Sequence, residues 1–108
     1  EDIEEAVRME VASNKASPQI ALEKLSRDAS ELVRAAVASN PNAGSDLLEK
    51  LSEDIEPIVR RAVARNPNAP KNILEKLSKD KDDGVLISVA ENKNTQATKM
   101  HLAILSAG

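Results

Sequence analysis

The fold is decided by residues 28–41, which read Asp-Ala-Ser-Glu-Leu-Val-Arg-Ala-Ala-Val-Ala-Ser-Asn-Pro. The positions of Val33, Val37 and Asn40 follow the i, i+4, i+7 spacing of one helical face. Pro41 disfavours helical geometry in the residue before it, so the helix should end near Asn40. Asparagine also tolerates the left-handed conformation that often terminates helices. The stretch therefore predicts a short amphipathic helix with a defined end.

The same pattern occurs four times at an interval of 26 residues. The recurring positions include Val7, Val33, Val59 and Val85; Asn14, Asn40, Asn66 and Asn92; and Leu22, Leu48 and Leu74. A period between 20 and 50 residues is typical of a solenoid, in which each unit buries its apolar face against its neighbours. We therefore expect one domain over residues 1–108, with units at approximately 2–27, 28–53, 54–79 and 80–108.

Each unit should contain two short helices. Asp28 with Glu31 matches a capping box at the start of the first helix. Ser17 followed by Pro18 resembles an N-cap and a first helical residue for the second helix. Neighbouring helices pack about 8–10 Å apart, so eight helices stacked as four pairs should form an all-α array about 30–40 Å long.

The third unit carries a family resemblance. Residues 59–70 read Val-Arg-Arg-Ala-Val-Ala-Arg-Asn-Pro-Asn-Ala-Pro, with Leu74, Leu77 and Asp80 beyond them, and this string resembles the leucine-rich repeat variant family. Units two and three match closely, and units one and four loosely. The resemblance implies an all-helical right-handed α-solenoid in which one helix of each pair is α and the other is α or 3₁₀. It implies no catalytic residues. Leu86 departs from the pattern, because the family has arginine there.

Composition excludes several kinds of site. The chain has no cysteine and no aromatic residue, so it has no disulfide, no thiolate nucleophile and no aromatic platform for stacking bases. Its 15 basic and 18 acidic residues give a net charge of −3, whereas dedicated nucleic-acid binders are more often basic. No apolar run is long enough to cross a bilayer. We expect a cytoplasmic protein with no cofactor. Because the first residue is Glu1 and not Met, the chain also has the character of a fragment of a longer protein.

The densest basic cluster consists of Arg60, Arg61 and Arg65, and Arg34 occupies the position of Arg60 one unit earlier. An exposed arginine row across stacked units would bind an acidic peptide or a phosphate backbone. Alternatively, these arginines cover apolar surface and pair with acidic residues of the next unit. The recurring asparagines have the same two interpretations, as a ligand-binding row or as helix terminators that satisfy backbone groups between units.

The two ends of the chain differ from the inner units. Glu10 replaces the alanine of units two and three, which suits a solvent-facing cap. At the other end, Leu102, Ile104 and Leu105 form an apolar run, which either packs within its own unit or serves as an interface to another domain or a second copy. His101, the only histidine, has no partners suited to catalysis or metal binding and is expected to be exposed.

These features predict a non-enzymatic helical-repeat scaffold that binds protein or peptide, or a repeat segment of a larger protein. The alternative is a nucleic-acid binder that uses Arg34, Arg60, Arg61 and Arg65 on phosphates. Salt distinguishes the two, because phosphate binding weakens steeply as the salt concentration rises.

Overall fold

The structure, a computed structural model, describes residues 3–95, and this part of the chain is all-helical with no strand. Longer and shorter α-helices alternate along it: Ile3–Ser13 (α1), Gln19–Leu25 (α2), Glu31–Ser39 (α3), Ser45–Leu51 (α4), Pro57–Arg65 (α5), Lys71–Leu77 (α6) and Asp83–Glu91 (α7). The predicted helix pairs are present over these residues. The shorter helices are α and not 3₁₀. The eighth predicted helix lies outside the described residues.

The longer helix α3 begins two residues later than the proposed capping box. Ser30 is the N-cap of α3, and its hydroxyl accepts a hydrogen bond from the Leu32 N–H at 3.2 Å. Asp28 instead accepts the Ser30 N–H at 3.0 Å, which shapes the turn before the helix. The capping-box prediction was wrong because the Asp28 carboxylate is engaged by Arg8 of the preceding unit.

The shorter helix α2 also begins one residue later than predicted. Pro18 is its N-cap, in extended geometry. The Ser17 hydroxyl donates to the Val11 carbonyl at 2.6 Å and so closes the turn between α1 and α2 instead of capping the second helix.

The longer helices α3, α5 and α7 end at asparagine, as predicted, but not in the left-handed conformation. Asn40 has φ −72° and ψ 124°, and Asn66 and Asn92 have nearly the same values. This is the extended geometry favoured before a proline, and prolines follow Asn40 and Asn66. The extended backbone also allows each amide side chain to reach both its own turn and the preceding unit.

The core lies between the helices of successive units. Each longer helix packs against the next longer one, α1 on α3, α3 on α5 and α5 on α7, and the shorter helices contact the longer helices beside them. The fully buried larger side chains are Leu22, Leu48, Leu51, Ile73, Leu74, Leu77, Val33, Val37, Val59, Val63, Val85 and Val89. The molecule measures 44 × 25 × 17 Å, so it is elongated, as sequential packing requires.

Candidate binding surface

A repeating ion pair joins each unit to the next. Arg8, Arg34 and Arg60 each bind the aspartate 20 residues further on, Asp28, Asp54 and Asp80, through the arginine Nε at 2.7–2.8 Å. A second bond from Nη2, at 3.1–3.2 Å, makes all three pairs bidentate. This geometry adds orientation as well as attraction. The row is therefore part of the contact between units.

The inner arginines of this row also bind the backbone of their own unit. Arg34 Nη1 donates to the Asp28 carbonyl at 2.8 Å, and Arg60 Nη1 donates to the Asp54 carbonyl at 2.7 Å. Only 15% of each of these two arginine side chains is exposed. Neither residue is exposed enough to bind phosphate as part of an arginine row. Both instead pair with acidic residues of the next unit, which was the alternative interpretation of the sequence.

The charges of this row are stabilised by one another. The bond from Arg8 lowers the pKa of Asp28 below its ordinary value. Burial raises the pKa of Asp54, but the bonds from Arg34 and from the Glu56 N–H outweigh burial, so the pKa is lowered overall. Correspondingly, the Asp54 carboxylate raises the pKa of Arg34. Both partners are thus ionised at neutral pH, and their charges are already used within the fold.

Arg61 has a different partner, and Gly84 makes room for it. Its guanidinium binds Asp82 through Nε at 2.9 Å and Nη2 at 3.1 Å. A Cβ added at Gly84 would lie 2.3 Å from Arg61 Nε, so the arginine lies directly over the glycine. Asp82 also caps α7 by accepting the Val85 N–H at 2.9 Å. The bond from Arg61 lowers the Asp82 pKa to about 2. Nevertheless, 42% of the Arg61 side chain remains exposed.

Arg65 is exposed at the last turn of α5, and no ion pair reaches it from any of residues 3–95. It is one turn beyond Arg61, and Ile58 lies one turn before Arg61, so the three share one helical face. Of the four predicted binding arginines, Arg65 is therefore the one whose charge is available within the described part of the chain, and Arg61 is the one that is partly accessible.

Exposed apolar side chains occupy the helical face of these two arginines, or the equivalent face, on three successive longer helices. Leu32 and Ile58 occupy equivalent positions on α3 and α5 and are each 40% exposed. Ile87, on α7 at the position of Arg61, is 57% exposed. We call Leu32, Ile58, Arg61, Arg65 and Ile87 the outward face. It combines apolar area with cationic groups, which is the composition of many protein-binding surfaces.

The recurring asparagines are structural. Asn66 Nδ2 donates to the Ala38 carbonyl at 2.8 Å and to the Asn40 carbonyl at 3.1 Å, both in the preceding unit. Its Oδ1 accepts the Asn68 N–H at 2.8 Å. Asn40 and Asn92 make the equivalent bonds. Since Asn40, Asn66 and Asn92 are buried, they cannot form a ligand-binding row, and for these three the interpretation that they satisfy backbone groups between units is confirmed. Asn14 is exposed.

The side of the shorter helices carries two shallow depressions. One, of about 350 Å³, lies between α2 and α4 beside Gln19, Gly44 and Lys50. The other, of about 250 Å³, lies between α4 and α6 beside Glu49 and Ile73. They occupy equivalent places in successive units, and their linings mix charged, polar and apolar groups. Across residues 3–95, no cluster of three or more acidic or histidine side chains is suited to a metal ion.

The remaining predictions concern the apolar C-terminal run, His101 and membrane spanning. Leu102, Ile104, Leu105 and His101 fall outside residues 3–95. Among the described helices, none is long and apolar enough to cross a membrane. Sequence reasoning offered pairing of the arginines with acidic residues of the next unit as an alternative, but it did not name the aspartates, and it missed the role of Gly84. The aspartates could have been named, since one follows each recurring arginine at the constant distance of 20 residues.

Comparison with known families adds one finding. The family model described as leucine rich repeat variant matches residues 31–55. The resemblance to this family is confirmed for that segment. No curated protein and no solved structure matches the chain. The matched leucine-rich repeat variant segment contains Arg34, Asn40 and Asp54, whose contacts recur at Arg60, Asn66 and Asp80.

Proposed function

We propose that the chain is a right-handed α-solenoid and a non-enzymatic scaffold that binds a protein or peptide, alone or as a repeat segment of a larger protein. The helical-repeat family matched by residues 31–55 supports the scaffold role. The binding surface in this proposal is the outward face. One observation carries it: Arg65 is exposed and unpaired within the described residues, and half-exposed aliphatic side chains occur on the equivalent face of three successive longer helices.

The preferred partner is a segment that carries both a carboxylate and aliphatic side chains. Arg65 and the exposed part of Arg61 would receive the carboxylate, because a guanidinium binds that group with directional hydrogen bonds. Leu32, Ile58 and Ile87 would receive the aliphatic groups. We propose no reaction and no cofactor for the chain, and we propose a cytoplasmic location.

Nucleic-acid binding is less well supported. Arg34 and Arg60 are paired with aspartates and largely covered, so phosphate would have to displace the aspartate carboxylates to reach them. The chain as a whole carries a net charge of −3, which repels a polyanion. The remaining accessible cations of the predicted row are too few for strong, counterion-driven binding.

Affinity capture from nuclease-treated lysate, with captured proteins quantified by mass spectrometry, tests the proposal. Arg65→Glu and Ile87→Glu change the outward face. Lys50→Glu and Ile20→Glu make the same chemical changes on the exposed side of the shorter helices. A partner lost with the first pair and retained with the second pair supports the proposal.

Equal capture by all four variants would exclude the outward face. Capture that requires intact nucleic acid, with affinity falling by about 0.7–0.9 log units per phosphate contact for each tenfold rise in salt, would establish the nucleic-acid alternative.

A further inference from the structure

The first unit exposes the surface that every other described unit buries. Val33, Val59 and Val85 are fully buried, but Val7, at the same position of α1, is 54% exposed. Likewise Val11 is 40% exposed, although its equivalents in α3, α5 and α7 are fully buried. The physical reason is that the inner valines are covered by the preceding longer helix, and none of the described residues plays that part for α1. We call the surface of Val7, Val11 and Asn14 the leading edge.

The leading edge also carries a hydrogen-bond donor, Asn14 Nδ2, that lacks the partners its equivalents have. Asn14 Oδ1 accepts the Ala16 N–H at 2.8 Å, as its equivalents do within their own turns. Its equivalents also donate from Nδ2 to two carbonyls of the preceding unit, whereas Asn14 Nδ2 donates to no group within residues 3–95. An occupant of this edge must therefore offer apolar surface together with backbone carbonyls.

The last longer helix among the described residues, α7, offers apolar surface and backbone carbonyls of the kind that such an occupant must provide. Ala12, Ala38 and Ala64 are fully buried under the following unit, but Ala90 of α7 is only half-buried. The carbonyls of Ala90 and Asn92 stand at the positions that receive the asparagine amide in the inner units, and no side-chain amide of the described residues binds them. We call the surface of Leu86, Ala90 and Asn92 the trailing edge.

We propose that the leading edge of one copy of this chain receives the trailing edge of a second copy. The contact repeats the packing already present between α1 and α3, α3 and α5, and α5 and α7, with Asn14 Nδ2 donating to the partner copy's main chain. It uses different residues from the outward face and does not depend on the proposed function. Because the two edges are different surfaces, the association is head-to-tail and propagates with concentration unless it closes into a ring.

Two substitutions make this contact weaker than the inner ones. Leu86 replaces the arginine that would bind an aspartate of the next unit. Glu10 replaces Ala36 and Ala62, so a carboxylate must be accommodated at the edge of the contact. The association should therefore be weak and reversible, and Glu10→Ala should strengthen it, since that variant restores the residue of the inner units.

Analytical ultracentrifugation of the full chain from about 10 µM to about 1 mM tests the proposal. We expect the weight-average mass to rise with concentration. Val7→Glu combined with Val11→Glu should weaken association at least about tenfold, because charges replace apolar contacts at the centre of the interface. Glu10→Ala should strengthen it by about tenfold. The control is Ile20→Glu combined with Ile55→Glu, at side chains 76% and 83% exposed, and should leave association unchanged.

Folding of each variant is checked by far-UV circular dichroism, and the valine variant should stay folded because both valines are partly exposed already. A monomer throughout the range for both the wild type and Glu10→Ala would overturn the proposal. So would association that survives the Val7 and Val11 changes and is lost with Leu102→Glu and Leu105→Glu, since the C-terminal run would then form the interface.

Discussion

Replacing Asn66 with alanine tests the idea that buried asparagines join the units. The substitution removes two hydrogen bonds from Nδ2 to the preceding unit and one from the Asn68 N–H to Oδ1. Asn66 is only 1% exposed, so water cannot readily replace the lost groups. A typical protein hydrogen bond contributes about 1 kcal/mol net, and a buried partner left unsatisfied costs about 1–3 kcal/mol. We expect Asn66→Ala to lower the free energy of unfolding by about 3–5 kcal/mol.

Asn14→Ala is the matched control, because Asn14 occupies the same position in the first unit. It keeps the bond from the Ala16 N–H at 2.8 Å but lacks the bonds to a preceding unit within the described residues, and it is exposed. Its loss should cost about 1 kcal/mol. Subtracting the two effects isolates the bonds between units, which should amount to about 2–4 kcal/mol.

Urea unfolding followed by far-UV circular dichroism is the suitable assay, since the chain has no aromatic residue for fluorescence. Both variants should show a cooperative transition with a similar dependence on urea, so that the midpoints can be compared. If Asn66→Ala and Asn14→Ala differed by less than about 0.5 kcal/mol, within the effect of an ordinary surface substitution, the asparagines would not join the units energetically.

Three further predictions concern the arginine site, acid stability and the core. Gly84→Ala should displace the Arg61 guanidinium, because the new Cβ would lie 2.3 Å from Nε. The pKa of Asp82, measured by carboxyl NMR, should then rise from about 2 towards 3.8. An unchanged pKa would contradict this geometry. The folded pKa of Asp82 is below its unfolded value, so the contribution of Asp82 to stability is present above about pH 4 and is lost as the pH falls towards 2. Asp82→Asn can still cap α7 but does not titrate, so it should make the free energy of unfolding depend less on pH between about 4 and 2. Val63→Ala should cost about 2–3 kcal/mol and Val11→Ala clearly less, because Val63 is fully buried and Val11 is 40% exposed; equal losses in urea unfolding would contradict the edge geometry.

Much of the local structure could be predicted because its causes are local. Pro41 and Pro67 end the helices before them, and the spacing of valines and leucines fixes which side of each helix is apolar. The starts of the helices were predicted less well. Asp28 suits the N-cap position by its chemistry, but a distant arginine engages its carboxylate, and Ser30 becomes the N-cap instead.

The binding residues could be named from the sequence only as a group. Arg34, Arg60, Arg61 and Arg65 have the same side chain and similar local sequence, so sequence reasoning could not rank them. Their availability depends on what lies across the contact between units. Arg34 and Arg60 face an aspartate of the next unit, Arg61 reaches a different aspartate over Gly84, and Arg65 meets no acidic partner among residues 3–95.

The sequence by itself determined the 26-residue period, the pair of helices in each unit, the ends of the first helices and their apolar sides, because these follow from spacing, proline geometry and side-chain size. Only the tertiary structure decided which polar groups are used inside the fold and which remain accessible. Hydrogen bonds and ion pairs act over about 3 Å, so their partners are fixed by how one unit lies on the next. Burial depends on the same packing of one unit on the next. Val33 of α3 is core because the preceding longer helix covers it, whereas Val7, at the equivalent position of α1, is exposed.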